Sequence, residues 1–235
     1  MENKLKVAVY GDSIMKATVP DENMRYHYYF NQYVADFAKL PLEITNRAKF
    51  GATVQKGMKI LTRDLEKDFD YDLALIEYGG NDCNHDWSQV AADPESPHLP
   101  KIDLKGFVAT VSKMADLLIA RGVKPVLMNL PPIDSEKYLN FMKMQGLNTD
   151  NILSWLGDVN MIYRFHELYS NALEKLAAAK NLLFVDVRSA FLSNHSFKKL
   201  ISEDGIHPTG EGYKVIFGEL FKNARLYTGL TCGAN

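Results

Sequence analysis

The sequence predicts an α/β domain in which a parallel sheet is covered by helices on both faces. Three observations point there: five short apolar runs with the composition of buried strands, helical segments between them, and Gly, Pro or Asn where most of the runs stop. Strands that alternate with helices need crossover connections, and a sheet connected that way is parallel and buried on both sides. With 235 residues, 46% of them hydrophobic and 24% charged, the chain is long enough for one sizeable core, so a single domain over 1–235 is expected.

The first strand is Lys6 to Tyr10, which runs into Gly11-Asp12-Ser13-Ile14. Ser13 thus stands at the carboxyl end of a buried strand, the edge where open α/β sheets bind ligands. It either caps a following helix or serves as a nucleophile. Residues 14–25, with Pro20, Asp21 and Asn23, read as a loop. Tyr26 to Phe37 reads as a helix whose Tyr29, Phe30, Tyr33 and Phe37 share one packing face. After Pro41, Leu42 to Asn46 alternates like a second strand and leads to Gly51, a turn residue or a place where a backbone N–H comes close to a ligand.

Leu73 to Tyr78 is the third strand and ends in Gly79-Gly80-Asn81-Asp82. The segment 83–103, with Pro94, Pro97 and Pro100, is too proline-rich for one long helix and is expected to flank the active site. Leu104, Phe107, Val108, Val111, Ala115 and Leu118 follow the helical template, with Asp103 as N-cap and Gly122 as stop. Pro125 to Leu130 is the fourth strand. Residues 133–163 are apolar without one sustained period and read as a lid or a substrate-binding insertion. A helix with Ile162, Phe165, Tyr169, Leu173 and Leu176 on one face ends near Lys180-Asn181, Leu182 to Val187 is the fifth strand, and Tyr213 to Leu226 is amphipathic.

A formal net charge of −2 gives no general electrostatic reason to bind nucleic acid or an anionic membrane, and no stretch approaches the ~18 consecutive apolar residues of a membrane span. No secretory h-region precedes the first strand, so a soluble, cytoplasmic protein is expected. Cys83 and Cys232 show no CxxC or CxxxH spacing, which favours reduced thiols over a disulfide framework or zinc knuckle. Neither GxGxxG nor GxxxxGK[ST] follows any strand, which sets dinucleotide and P-loop chemistry aside.

Ser13, Gly51 and Asn81 come from three strand ends, and a late loop adds Asp204-Gly205-Ile206-His207-Pro208. Together these resemble the SGNH hydrolases, or GDSL esterase/lipase family, whose blocks are an early GDS, a later Gly, a GxND and a late DxxHP. All four stand here in order between residues 11 and 208, with Ile14 where leucine is usual. The resemblance implies a flavodoxin-like three-layer α/β/α sandwich with a five-stranded parallel sheet. It also implies ester hydrolysis and assigns the oxyanion hole to the backbone N–H groups of Ser13 and Gly51 and the side-chain amide of Asn81.

The residues allow the same chemistry. A serine hydroxyl needs a base, and His207 can take its proton and return it to the leaving group. A carboxylate on the other ring nitrogen fixes the tautomer and stabilises the imidazolium. Asp204, three residues earlier, is the first choice, and Asp186 at the end of the fifth strand the reserve. Asp12 is read as shaping the turn.

Trp87, Tyr138, Phe141 and Trp155 are candidates to stack on a sugar or line an acyl slot. The expected partner is therefore a small-molecule ester, such as an acetylated glycoside or an acyl ester or thioester, with no cofactor and no metal. Oligomeric state is left open. His27, His98, His166 and His195 read as surface or packing residues. A rival reading takes Asn84-His85-Asp86 with Asp12, Asn81 and His207 as a metallophosphoesterase-like ligand set, although the first strand lacks a DxH and that reading leaves Ser13 and Gly51 idle. A second rival is an acyltransferase or a non-catalytic binding protein on the same scaffold.

Overall fold

The structure, a computed structural model, describes residues 4–227. In chain order its first half contains β1 (Leu5–Gly11), β2 (Thr18–Pro20), β3 (Tyr26–Tyr28), α1 (Phe30–Tyr33), β4 (Leu42–Asn46), α2 (Val54–Leu65), β5 (Leu73–Glu77), α3 (Trp87–Ala92) and α4 (Leu104–Ile119). The second half contains β6 (Lys124–Met128), α5 (Ser135–Met144), α6 (Thr149–Leu156), α7 (Asn160–Lys180), β7 (Leu183–Val185), α8 (Val187–Leu192) and α9 (Gly210–Tyr227).

The five strands expected from the sequence form one parallel sheet in the order β4-β1-β5-β6-β7, with Val7 of β1 opposite Ile44 on one side and Leu73 on the other. Side chains alternate across it, as a pleat of period two requires. Ala8, Tyr10, Ala74, Ile76 and Leu127 face a core closed by α2, α4 and α7, where Leu61, Phe107, Val111, Leu118 and Leu173 are buried. Val9, Leu75, Val126, Met128 and Val185 face a second core closed by α8 and α9. Helices on both faces make this the three-layer α/β/α sandwich of the flavodoxin-like order. Because the chain passes from β4 over β1 to β5, the order reverses at β1, and the crevice at such a switch point is where ligands sit. Ser13 lies just beyond β1, Gly51 beyond β4 and Asn81 beyond β5.

A third, smaller core gathers Trp87, Val90, Tyr138, Met142 and Ile152 from α3, α5 and α6. The expected helix at 104–118 runs Leu104–Ile119, with Asp103 accepting from the Gly106 N–H at 2.9 Å and Gly122 at φ 75° ending the turn after it.

Tyr26 to Phe37 is not a helix. Tyr26–Tyr28 pairs antiparallel with Thr18–Pro20, and only Phe30–Tyr33 and the 3₁₀ turn Ala35–Lys39 are helical. Aromatic residues suit strands, and here the pairing partner, invisible to a local period, decides. Phe30, Tyr33 and Phe37 still pack on Phe217 of α9, whereas Tyr29 is 40% exposed. The flank 83–103 holds one short helix, α3, and 133–158 holds α5 and α6. Cys232 lies outside the described residues, and Cys83 is buried and free. No helix among the described residues is long and apolar enough to cross a membrane.

Gly57 sets how closely α2 approaches β5, because a Cβ there would lie 2.5 Å from the ring of Tyr78, which is fully buried. Alanine gains ~1 kcal/mol of helix propensity over glycine, but overpacking a filled core costs ~1–3 kcal/mol. Gly57→Ala is therefore expected to lower stability in urea unfolding, and an unchanged or higher midpoint would show that Tyr78 has room to move.

Candidate active site

Asp12 and Ser13 form a tight turn at the end of β1. The Asp12 Oδ1 accepts from the Ile14 N–H at 2.8 Å, and the Ala17 N–H donates to the Ile14 carbonyl at 2.9 Å. Beyond Ser13 the chain therefore turns into β2 without forming a helix, so Ser13 has no helix to cap. Asn46 at the end of β4 ties this turn down by donating from Nδ2 to the Met15 carbonyl at 2.8 Å.

His207 arrives from the opposite end of the chain on a loop organised by Asp204. The Asp204 Oδ1 accepts from the backbone N–H groups of Ile206 (3.0 Å) and His207 (2.9 Å), and its Oδ2 lies 2.6 Å from His207 Nδ1. The three-residue spacing lets one carboxylate shape the turn and hold the ring it carries. Further bonds pin the loop: the Ser202 N–H donates to the His207 carbonyl and the Asp134 N–H to the Gly205 carbonyl, both at 2.8 Å. Gly205 has φ 76°, and a Cβ there would lie 2.3 Å from the Tyr138 nitrogen, so only glycine fits. His207 Nε2 stands 2.9 Å from Ser13 Oγ, and both residues are buried. Burial pulls the Asp204 carboxyl upward, but the hydrogen bond and charge of His207, with the two backbone donors, outweigh it and hold the group below its ordinary value. The reserve carboxylate, Asp186, instead caps α8 and accepts from Asn129 Nδ2 at 2.6 Å.

The N–H groups of Ser13 and Gly51 have no partner among the described residues. Gly51 has φ 68° with nothing within 4 Å of its missing Cβ, so the left-handed backbone, not crowding, calls for glycine there. Asn81 Nδ2 donates to Asp12 Oδ2 at 2.8 Å and to the Ala52 carbonyl at the longer distance of 3.2 Å. Asp12 thus does more than shape the turn, since it also orients the amide. Asp82 Oδ1 accepts from the Val54 N–H at 2.9 Å, capping α2 from another strand end because Thr53 makes no side-chain cap. That bond fixes the Gly51 turn relative to Asn81.

Three acids therefore lie under the serine. Burial raises all of them. Asp82 is pushed up to about 7 by burial. Glu77, fully buried with no well-formed hydrogen bond to either oxygen, is raised well above the ordinary range by burial and then by the charge of Asp12. Asp12 is raised by burial too, but the donors on it and the charge of His207 favour its anion. Glu77 accordingly carries the proton of the pair.

Asp12, Ser13, Glu77, Asn81 and His207 border a cavity of about 180 Å³ at the sheet's carboxyl edge. Trp87 and Tyr138 line it, joined by hydrogen bonds from Trp87 Nε1 to Tyr138 Oη (3.0 Å) and Asn84 Oδ1 (2.6 Å). Phe141 and Trp155 do not reach it. Phe141 packs in the third core, and Trp155 stands behind His85 with ring centroids 5.1 Å apart. Sequence reasoning missed Tyr26 and Phe50, whose rings flank the His207 ring at 5.1 and 6.0 Å, and His166, which lines the cavity. None of them stands in a recognisable spacing. Asp86 caps α3, and among the described residues no cluster of three or more His, Cys, Asp or Glu could hold a metal ion.

A hydroxyl, an imidazole and a carboxylate in line at the carboxyl edge of a parallel sheet have the arrangement of a serine hydrolase site, a class that includes the ester-bond hydrolases. Residues 9–215 match the model of the GDSL-like lipase/acylhydrolase family, and the chain belongs to that family. It is 27% identical over 222 residues to the isoamyl acetate-hydrolyzing esterase of Saccharomyces cerevisiae, which covers 92% of this chain and 84% of the yeast protein. Among solved structures it is similar to a lipase/acylhydrolase from Enterococcus faecalis (TM-score 0.65, 18% identity, 98% of this chain and 99% of that one). It is also similar to the acetylxylan esterase Axe2 of Geobacillus stearothermophilus (TM-score 0.61, 19% identity, 95% and 96%).

Glu77→Gln keeps the shape of the buried acid and removes its ionisation. In the unfolded chain Glu77 ionises near 4.5, while in the fold it stays protonated well above that. The native state then binds more protons than the unfolded one in that window, so the wild-type residue costs more stability as pH rises through it. Glu77→Gln is expected to raise Tm over wild type by more at pH 8 than at pH 5. An equal difference at both pH values would mean that Glu77 is ionised in the fold.

Proposed function

We propose that the protein is a serine carboxylic-ester hydrolase in which Ser13 is the nucleophile, His207 the general base and then acid, and Asp204 the carboxylate that orients it. The observation that carries this is the unbroken line from Asp204 Oδ2 through both His207 ring nitrogens to Ser13 Oγ, at 2.6 and 2.9 Å. In the first half-reaction the Oγ proton passes to His207 Nε2 as Oγ adds to the ester carbonyl. Collapse of the tetrahedral adduct expels the alcohol, which takes that proton, and leaves acyl-Ser13. Water then repeats the sequence, with His207 as base, and releases the acid.

Negative charge on the carbonyl oxygen is met by the unpartnered N–H groups of Ser13 and Gly51 and by Asn81 Nδ2, which exchanges its longer bond to the Ala52 carbonyl for the oxyanion. Asp12 supports that role by holding the amide from the other side. Tyr26 and Phe50 screen the His207 ring from solvent, and residues 133–163 wall the cavity through Ile133, Tyr138 and Ile162.

The preferred substrate is an acetyl or similarly short acyl ester of a small alcohol. A cavity of about 180 Å³ favours it, as does the relative named for isoamyl acetate. The buried free thiol of Cys83 fits work in the reducing cytoplasm.

Initial rates on a short acetyl ester test this reading. Ser13→Ala is expected to cut kcat/KM by about 10⁴-fold or more with the melting temperature kept. Asn81→Ala is expected to lower kcat by about 10²–10³ with little change in KM, as for a donor used in the transition state. Wild-type rates in Ser13→Ala would refute the assignment, and a pure rise in KM for Asn81→Ala would make Asn81 a substrate-binding residue.

A further inference from the structure

Two of the residues that line the cavity, His85 and His166, are each 5% exposed and have no hydrogen-bond partner for either imidazole among the described residues. In both rings Nδ1 is sealed from solvent and unpaired. Nε2 of each ring is not sealed and has no protein partner among the described residues, so a group bound in the cavity can pair with it, whereas the sealed Nδ1 stays unpaired. The bland alternative is a pair of rings used only for packing. Phenylalanine or leucine serves packing without the desolvation cost of a ring nitrogen, and the Phe165, Trp87 and Trp155 rings around His85, at centroid distances of 4.9, 5.4 and 5.1 Å, show that aromatic packing is already ample there.

The form of the rings is set by burial, which pushes His85 down to about 4 and His166 down to about 3, so both are neutral at working pH. A neutral imidazole carries one N–H. On the sealed Nδ1 it would be a buried unpaired donor. On Nε2 it faces the cavity and leaves Nδ1 as a bare acceptor, the less costly orphan. The wall therefore presents two N–H donors, which call for oxygen acceptors. No Lys or Arg lines the cavity, and the Asp12 carboxylate does, which disfavours an anionic ligand.

We propose that His85 and His166 form a hydroxyl-reading subsite, and that the ester cleaved here carries a small polyhydroxy alcohol of glycerol to monosaccharide size. This rests on the short-acyl hydrolase reading: an acetyl group is too small to carry hydroxyls, so the two donors meet the alcohol part. The cavity of about 180 Å³ has room for an acetyl group with a three-carbon polyol or a single sugar. An alcohol without hydroxyls leaves both donors unpaired in the bound state, which is how a polar site rejects an apolar analogue.

Glycerol 1-monoacetate and propyl acetate share one carbon skeleton and differ by two hydroxyls, so the ratio of their kcat/KM values reads the subsite. Wild type is expected to favour the glycerol ester by about tenfold or more. His85→Phe and His166→Leu are each expected to lower that ratio several-fold, and His85→Gln, which keeps a donor, to retain most of it. A wild-type ratio of one or less, or the same ratio in both apolar variants, would overturn the proposal. Should those variants not fold, inhibition of the wild-type protein decides: glycerol is expected to inhibit propyl acetate cleavage at lower concentration than propan-1-ol, and the reverse order sinks the subsite. If wild type cleaves neither ester, the short-acyl reading itself fails, and this proposal falls with it.

Discussion

One hydrogen bond, between His207 Nε2 and Ser13 Oγ across 194 residues of sequence, constrains the rest of the molecule. A 2.9 Å contact between the start and the end of a chain survives only if both sides are held on rigid elements, because any loose loop would average it away. The serine side is held by the central strand β1, paired on both edges, and by the Asp12 turn. The histidine side is held by the Asp204 turn, by Gly205 packed against Tyr138, and by the Gly205 carbonyl bond to Asp134 just before α5. Residues 133–163 are thus part of the apparatus that positions the histidine.

The acids beneath the serine illustrate how charge is managed there. Four carboxyl groups, Asp12, Glu77, Asp82 and Asp204, are each at most 1% exposed near one site, and four buried anions would repel each other strongly. Each acid is treated differently. Asp204 is stabilised as an anion by His207 and two backbone donors, Asp12 by Ile14 and Asn81, and Asp82 spends one oxygen on the start of α2. Glu77 has no well-formed hydrogen bond of this kind, and burial and the charge of Asp12 keep it protonated. The same donors that hold Asp12 and Asp82 also set Asn81 and Gly51 relative to Ser13, so electrostatics and geometry are satisfied by one set of bonds.

Much of this was legible in the sequence, for physical reasons. The five strands announce themselves as short apolar runs because both faces of a parallel sheet are buried. The helix beginning at Leu104 shows a clean period, a cap at Asp103 and a stop at Gly122. Ser13, Asp204 and His207 were readable because each sits in a motif whose local turn chemistry is encoded in adjacent residues. The features that escaped depend on contacts distant in sequence. Tyr26–Tyr28 became a strand because Thr18–Pro20 pairs with it, and Trp155 and Phe141 turned from cavity candidates into packing because α5 and α6 fold over one another. His166 looked like one more helix residue until α7 was laid against the cavity.

The central claim is that His207 activates Ser13. Treatment of the intact protein with a fluorophosphonate, followed by mass mapping of the modified peptide, tests it most directly. The account predicts a single adduct on Ser13, absent in Ser13→Ala and formed about a thousandfold or more slowly in His207→Ala. Labelling of another residue, or labelling of Ser13 at an undiminished rate without His207, would contradict it.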